Sequence, residues 1–550
     1  MATESATTTV APADVGLKRE MGLIGATWSA ETSIIGSGWL FASWKAAYST
    51  GTGAIIAWIL AGIAIMVLAL VHAELGAMYP VAGGTARFPH FAFGSVAGIS
   101  FGFFSWVQAV TIAPVEVLAV MGYATYYWPG LLKTNGAVST SGLIWSVILM
   151  AVMTVVNFLA MRLFNRVNST IMWWKIAIPV ATIIILLFKF HPKNFGSHGG
   201  WTPLGTKALF AAIPGAGIVF AYLGFEQADQ LAAEVKDPQR NLPRAIILAM
   251  LIGTAVYILL QVVFIGALEP SHLGNGWAAL ANNKGLIKGP LAFIAAGAGL
   301  GWLATILRVD AFISPSGTGL IYVTSTSRVS YGLARNRYYP QIFARVDKRG
   351  VPWFSVIAAF VLGLVFLLPF PSWTALVNII TDASLFMYAG APLAMGVFRR
   401  QLPNANRPYR MPGGMVLAPI SFVVANLIIY WAGFLTIWKL GIVLVVGYAI
   451  IAISMAADKQ RPKLEWKSAL WLPAYVIGMG LISWQGAYGG GAVKAPLNTN
   501  NIPFGWDFLV VTAFSLGIYY WAHYTSLSSA QIEANVQEQL AAHVEETAAG

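Results

Sequence analysis

The chain has 550 residues, 57% of them hydrophobic and only 10% charged. A soluble domain carries about 25% charged residues, so the soluble globular class is excluded. The formal net charge of +12 sits in short loops between apolar stretches, which is a topology signal and argues against a nucleic-acid partner. With no cysteine in the sequence, disulfides, thiol chemistry and cysteine metal sites are ruled out.

Residues 1–20 are rich in Thr and Ala and read as a disordered cytoplasmic tail without a cleavable leader. Fourteen apolar spans follow, where a bilayer crossing needs ~20 residues; the third and eighth are longer than one crossing requires. The fourteen lie at 22–48, 53–79, 94–127, 142–161, 168–188, 207–234, 243–267, 290–334, 353–370, 374–398, 415–437, 439–457, 467–486 and 504–525. The eighth predicts a short external helix around Leu291–Gly299 feeding a membrane helix from about Leu303. The tail, 526–550, reads as a short polar helix followed by disorder. With both termini in the cytoplasm, 22 of the 33 Lys and Arg fall on the cytoplasmic side and nine outside, Lys45 among the latter. This is the asymmetry that the positive-inside rule demands. No loop is long enough for a soluble catalytic domain. His191 and His198, in an external loop, lack partners at metal-ligand spacing, so neither a metal nor a cofactor is expected.

Two spans are interrupted. In the first, Ile34-Ile35-Gly36-Ser37-Gly38 falls at mid-membrane depth, where glycine costs a helix ~1 kcal/mol relative to alanine. A break there exposes N–H groups and a helix N-terminus, which attract a carboxylate; a simple kink or close-packing glycine is the other reading. In the sixth, Gly217 to Gly224 leads abruptly into Glu226-Gln227. The breaks are five spans apart, an odd number, so a second five-helix unit enters the membrane inverted. Matched interruptions in two inverted halves point to a transporter site at the midplane. The units are 21–188 and 207–398, followed by four further spans at 415–525.

Ionisable residues at membrane depth are functional candidates by default. Lys175, in the fifth span, either snorkels to the interface or acts as a cation between spans one and eight. Glu116 follows Pro114 in the third span, and Glu226 adjoins the second break; each is a structural carboxylate or a proton carrier. Asp310 lies one turn before Ser314. Arg308 and Asp310, two apart, face opposite ways and are not expected to pair. Glu31 and Glu74 read as structural, and Gly94, Gly98 and Gly102 as a helix-packing stripe. Most tryptophans fit an interfacial belt, and Phe220 is placed to gate the second break.

Taken together, these segments resemble the amino acid–polyamine–organocation (APC) transporter superfamily. The resemblance is carried by Gly36-Ser37-Gly38, by Glu74 to Gly84, by Gly224-Phe225-Glu226 with Glu234 to Arg244, and by Arg328 to Arg335 with Gly350-Val351-Pro352. It implies an all-α integral membrane protein with a LeuT-like five-plus-five inverted repeat core and four additional C-terminal helices. It also implies that a substrate carboxylate meets Gly36, Ser37 and Gly38, and that the amino group meets carbonyls near Ile34, Ile35, Phe220, Ala221 and Leu223. Lys175 matches a lysine that replaces sodium in some members, with hydroxyl partners among Ser314, Ser316 and Thr318. Gly36 to Ala42, Gly299 to Thr305, Leu368 to Trp373 and Tyr519 to Thr525 are similar to the bacterial aspartate–proton symporter branch. The resulting expectation is a plasma-membrane symporter that imports an amino acid with a proton, with an acidic substrate in view and Arg308 a candidate partner for its second carboxylate. An exchanger, or a permease for neutral amino acids or polyamines, is the alternative. A membrane enzyme would need a His/Asp cluster at one membrane face, and none is seen. Scattered, unpaired charges argue against a channel.

Overall fold

The protein is described by a computed structural model covering residues 21–81, 83–133, 136–159, 161–196, 198–232, 235–347, 351–368, 372–457, 463–488 and 500–548, with side chains left undescribed at 159, 161–170, 457 and 539–548. The N-terminal tail expected at 1–20 lies outside the described residues. No sheet forms among them, and only two isolated bridges occur.

The first half comprises α1 (Leu23–Ile34), α2 (Gly38–Thr50), α3 (Gly53–Met78), α4 (Gly84–Phe93), α5 (Ser95–Ala124), α6 (Thr140–Leu159) and α7 (Met161–Leu187). The first predicted span is therefore two helices separated by Ile35, Gly36 and Ser37. The sixth is also broken, into α8 (Thr206–Gly215), α9 (Ile218–Tyr222) and α10 (Gln227–Gln230). Pro214 lies at the end of α8, and Gly217 (φ 82°) and Gly224 (φ 127°) take backbone angles that side-chain-bearing L-residues rarely adopt. Next come α11 (Pro238–Ala267), α12 (Lys284–Ile287), α13 (Pro290–Gly297) and α14 (Gly301–Arg335). The short helix expected before the eighth span is α13, set off by Pro290 at its start and a left-handed Gly299 after it.

The chain continues with α15 (Trp353–Leu367), α16 (Trp373–Gln401), α17 (Gly414–Ala432), α18 (Phe434–Ala457), α19 (Trp471–Gln485), α20 (Trp506–Thr525) and α21 (Ser529–Ala548). The tail expected to lose order instead stays helical through Ala548, as its run of Ala, Glu and Gln, all good helix formers, permits. Among the described residues, seven helices are individually long and apolar enough to cross a membrane. The broken spans fall short because each half is short. α14 is long enough, but Arg308, Asp310, Ser314 and Thr318 lower its apolarity.

α5 is buried along its whole apolar length and packs against α14 and α16, while α3 packs on α11. The small residues of α5 permit close packing on α4 and α14. A Cβ on Gly98 would lie 2.7 Å from His90 Cβ, and one on Gly102 would lie 2.5 Å from Leu333 Cδ2. Tryptophan is not confined to an interfacial belt: Trp39, Trp58 and Trp471 are fully buried. Glu74, buried near the end of α3, ties α3 to α16. It accepts from Arg399 Nε (2.9 Å) and Nη2 (2.5 Å) and from the Met411 amide (2.7 Å). Removing one partner of such a buried pair costs about 3–5 kcal/mol because the other charge is stranded. Glu74→Ala is accordingly expected to lower the thermal unfolding midpoint in detergent markedly, measured against the wild-type melt.

Candidate functional site

The two breaks meet. A Cβ on Gly38 would come within 2.8 Å of Ala221 Cβ and 2.9 Å of its Cα, and one on Gly224 would lie 2.7 Å from the backbone at Ser33 and Ile34. Glycine at these places is what lets the interrupted helices touch. Between them lies a small cavity lined by Ile34, Gly36, Gly38, Glu116, Phe220 and Leu223, with Thr318 and Tyr322 on the α14 side.

Two N–H groups at the first break have partners. Gly36 N–H turns back to the Ile34 carbonyl (3.0 Å). Ser37 N–H donates to Glu116 Oε2 (2.7 Å) and the Ser37 hydroxyl donates to Glu116 Oε1 (3.0 Å). The same hydroxyl accepts from Trp373 Nε1 (2.9 Å). A carboxylate from α5 thus occupies the anion position that the break creates. Gly36 is constrained by it, since a Cβ there would lie 2.7 Å from Glu116 Oε1 and 3.0 Å from Thr318 Oγ1.

Lys175 is fully buried, so it does not snorkel. Its ammonium donates to the Thr32 carbonyl (2.6 Å), at the end of α1, and to Thr318 Oγ1 (2.7 Å). Glu116, Asp310 and Glu31 all lie within electrostatic reach of it. The hydroxyl partner is thus Thr318; Ser314 instead donates to Asp310 Oδ1 (2.7 Å), which also accepts from Trp174 Nε1 (2.7 Å). Ser316, two residues from Thr318, is only half-buried and lies on another face of α14. Arg308 turns away from Asp310 and sets its guanidinium 3.7 Å from the Tyr126 ring centre, where Tyr126 is exposed. It is not at the cavity.

Glu226 accepts from four donors: the Gly224 amide (2.9 Å), Gln108 Nε2 (2.9 Å), Tyr322 (3.1 Å) and Tyr388 (2.5 Å). It holds the second break in shape from behind. Of the carbonyls considered for an amino group, Ile34 C=O already accepts from Gly36 N–H (3.0 Å) and from Tyr257 (2.7 Å). Ile35 lies behind the cavity wall, its carbonyl 3.5 Å from Thr318 Oγ1. Ala221 packs on Gly38, whereas Phe220 meets Trp373 edge-on, ring centres 5.7 Å apart. Phe41 completes this aromatic layer at 5.3 Å from Trp373.

Sequence reasoning passed over Trp373, whose motif position gave no sign that its indole would reach Ser37. It also passed over Asp382 on α16, fully buried with neither oxygen hydrogen-bonded among the described residues. The signal for Asp382 was simply a charge within an apolar span.

Interrupted helices meeting at a small cavity, inside a bundle of long apolar helices, define a multi-pass membrane protein. The chain matches the amino acid permease family over residues 25–465 and belongs to that family. It is 37% identical over 508 residues to the aspartate-proton symporter of Bacillus subtilis (strain 168), covering 91% of this chain and 95% of the relative. It is 34% identical over 517 residues to the glutamate/serine transporter AimA of the same organism, covering 92% and 94%. A branched-chain amino acid permease, BcaP, also from that organism, is 25% identical over 451 residues, covering 79% and 92%. These proteins are transporters and not enzymes, and this chain is an amino acid permease.

Gly38→Val is expected to force the breaks apart at Ala221, because a backbone atom stands in the way. Equilibrium binding of radiolabelled amino acid to the detergent-solubilised protein should weaken by about tenfold or more.

Proposed function

We propose that this permease imports an acidic amino acid, aspartate or glutamate, together with a proton, by alternating access across the plasma membrane. The observation that carries the reading is the Glu116 carboxylate on Ser37 N–H and Oγ. A substrate α-carboxylate recognised by Gly36, Ser37 and Gly38 competes with it for the Ser37 donors. Two carboxylates sharing one site cannot both stay ionised. A proton on Glu116 frees the donors, so proton and amino acid load together. The bookkeeping of charge supports this. Lys175 with ionised Glu116 in the unloaded site, and Lys175 with neutral Glu116 plus a bound carboxylate, carry the same local charge, which matters where unbalanced charge is expensive.

In this cycle Lys175 stands where a sodium ion would otherwise sit, bridging α1 and α14 through Thr32 and Thr318. Asp310 and Ser314 shape its field from α14, and Thr318 takes the part for which Ser316 was a candidate. Glu226, on its four donors, keeps the second break in shape beside the cavity. The substrate amino group meets carbonyls of Ile34 and Ile35 and of Phe220, Ala221 and Leu223, and Phe220 closes over it with Trp373. The names of the two Bacillus relatives support an acidic substrate, and that of the first supports proton coupling.

We further read the chain as fourteen spans with both termini cytoplasmic. Units 21–188 and 207–398 form the inverted repeats, and 415–525 the additional helices. The packing of α3 on α11 and of α5 on α14, second with second and third with third helix of each unit, supports that layout.

In proteoliposomes, an inward proton gradient should drive accumulation of labelled aspartate, and a sodium gradient should not. Glu116→Gln, which cannot carry the proton, should abolish gradient-driven accumulation while retaining counterflow exchange. Lys175→Ala should likewise lose gradient-driven uptake. Wild-type accumulation by either variant would reject its coupling role.

A further inference from the structure

Lys45 was expected at the external end of the first span, and it is buried within α2, at 6% exposure. Its ammonium donates to Thr374 Oγ1 (2.5 Å), at the start of α16, and lies 5.2 Å from the centre of the Trp373 ring. No carboxylate lies within ion-pair distance of it among the described residues. Lys175, by contrast, has three acidic groups within electrostatic reach. Lys45 is a desolvated cation with one hydroxyl and an aromatic face for company, an arrangement that leaves two of its three donors for an incoming anion.

Its position gives this a direction. Gly38, Phe41, Lys45 and Tyr48 recur at helical spacing on one face of α2. That face runs from the cavity at Gly38, past the Phe41–Trp373–Phe220 layer, to Lys45 and then to half-buried Tyr48. Seven residues of helix separate Gly38 from Lys45, a rise of about 10 Å. Phe41, Trp44, Lys45 and Trp373 are buried together here.

We propose that Lys45 is a waiting site on the outer side of the aromatic layer, where an acidic amino acid docks a carboxylate before Phe220 and Trp373 part. The site favours net-negative amino acids over zwitterions of the same size, because only the former bring the charge that Lys45 lacks. Trp373 links the two stations: its ring faces the ammonium while its indole N–H holds the Ser37 hydroxyl. Arrival of an anion at Lys45 draws the ammonium from the ring and loosens that hold. The inference rests on the acidic-substrate reading given above.

The test compares initial uptake of labelled aspartate and labelled asparagine by the full-length protein in proteoliposomes. Lys45→Met keeps the length of the side chain without its charge. It should raise the KM for aspartate relative to that for asparagine by about tenfold or more, the scale of one charge-assisted hydrogen bond. Lys45→Arg should hold that ratio near the wild-type value. An unchanged ratio in Lys45→Met, including an equal loss for both substrates as expected of a mere latch between α2 and α16, overturns the assignment. If Lys45→Met is not monodisperse in detergent, Lys45→Gln is read by the same ratio. A wild-type protein that takes asparagine but no aspartate overturns the acidic-substrate reading itself, and the waiting site with it.

Discussion

The hydrogen bonds from Ser37 to Glu116 are the constraint around which the rest is arranged. A helix interrupted inside a membrane must find partners for its freed backbone groups, since lipid offers none. Here one of the partners is a carboxylate from the neighbouring α5. That choice fixes glycine at 36, where a side chain would strike Glu116, and keeps α5 buried along its whole apolar length. It also calls for a compensating cation nearby, which Lys175 supplies while fastening the end of α1 to Thr318.

The buried carboxylates divide by how many donors they hold. Glu74, on an arginine and a backbone amide, and Glu226, on four donors, are saturated and keep helices in place. Glu116 has one donor on each oxygen, both from Ser37, and Asp310 leaves one oxygen without a partner. The proposed coupling runs through the second set, Glu116 and Asp310, with Lys175 bridging α1 and α14 beside them.

Much of this was legible in the sequence where backbone chemistry decides the outcome. Glycine and proline mark both breaks, the division between α13 and α14, and the close packing along α5. What escaped was set by neighbours distant in sequence. Nothing local says that Trp373 reaches Ser37, that Thr318 rather than Ser316 meets Lys175, or that Lys45 turns inward to Thr374. Each depends on which face of a helix meets which neighbour, and a shift of one or two residues changes the partner. Arg308 shows the converse: a charge within a span that looked like a ligand group rests on an exposed tyrosine at the periphery.

The central claim, that Glu116 and the substrate carboxylate take turns on one set of donors, is tested most directly by counting protons. Amino acid added to the solubilised protein in weak buffer, with a pH indicator, should be bound with uptake of about one proton per molecule, and the uptake should vanish in Glu116→Gln. Saturable binding with no proton taken up by the wild type would contradict the account.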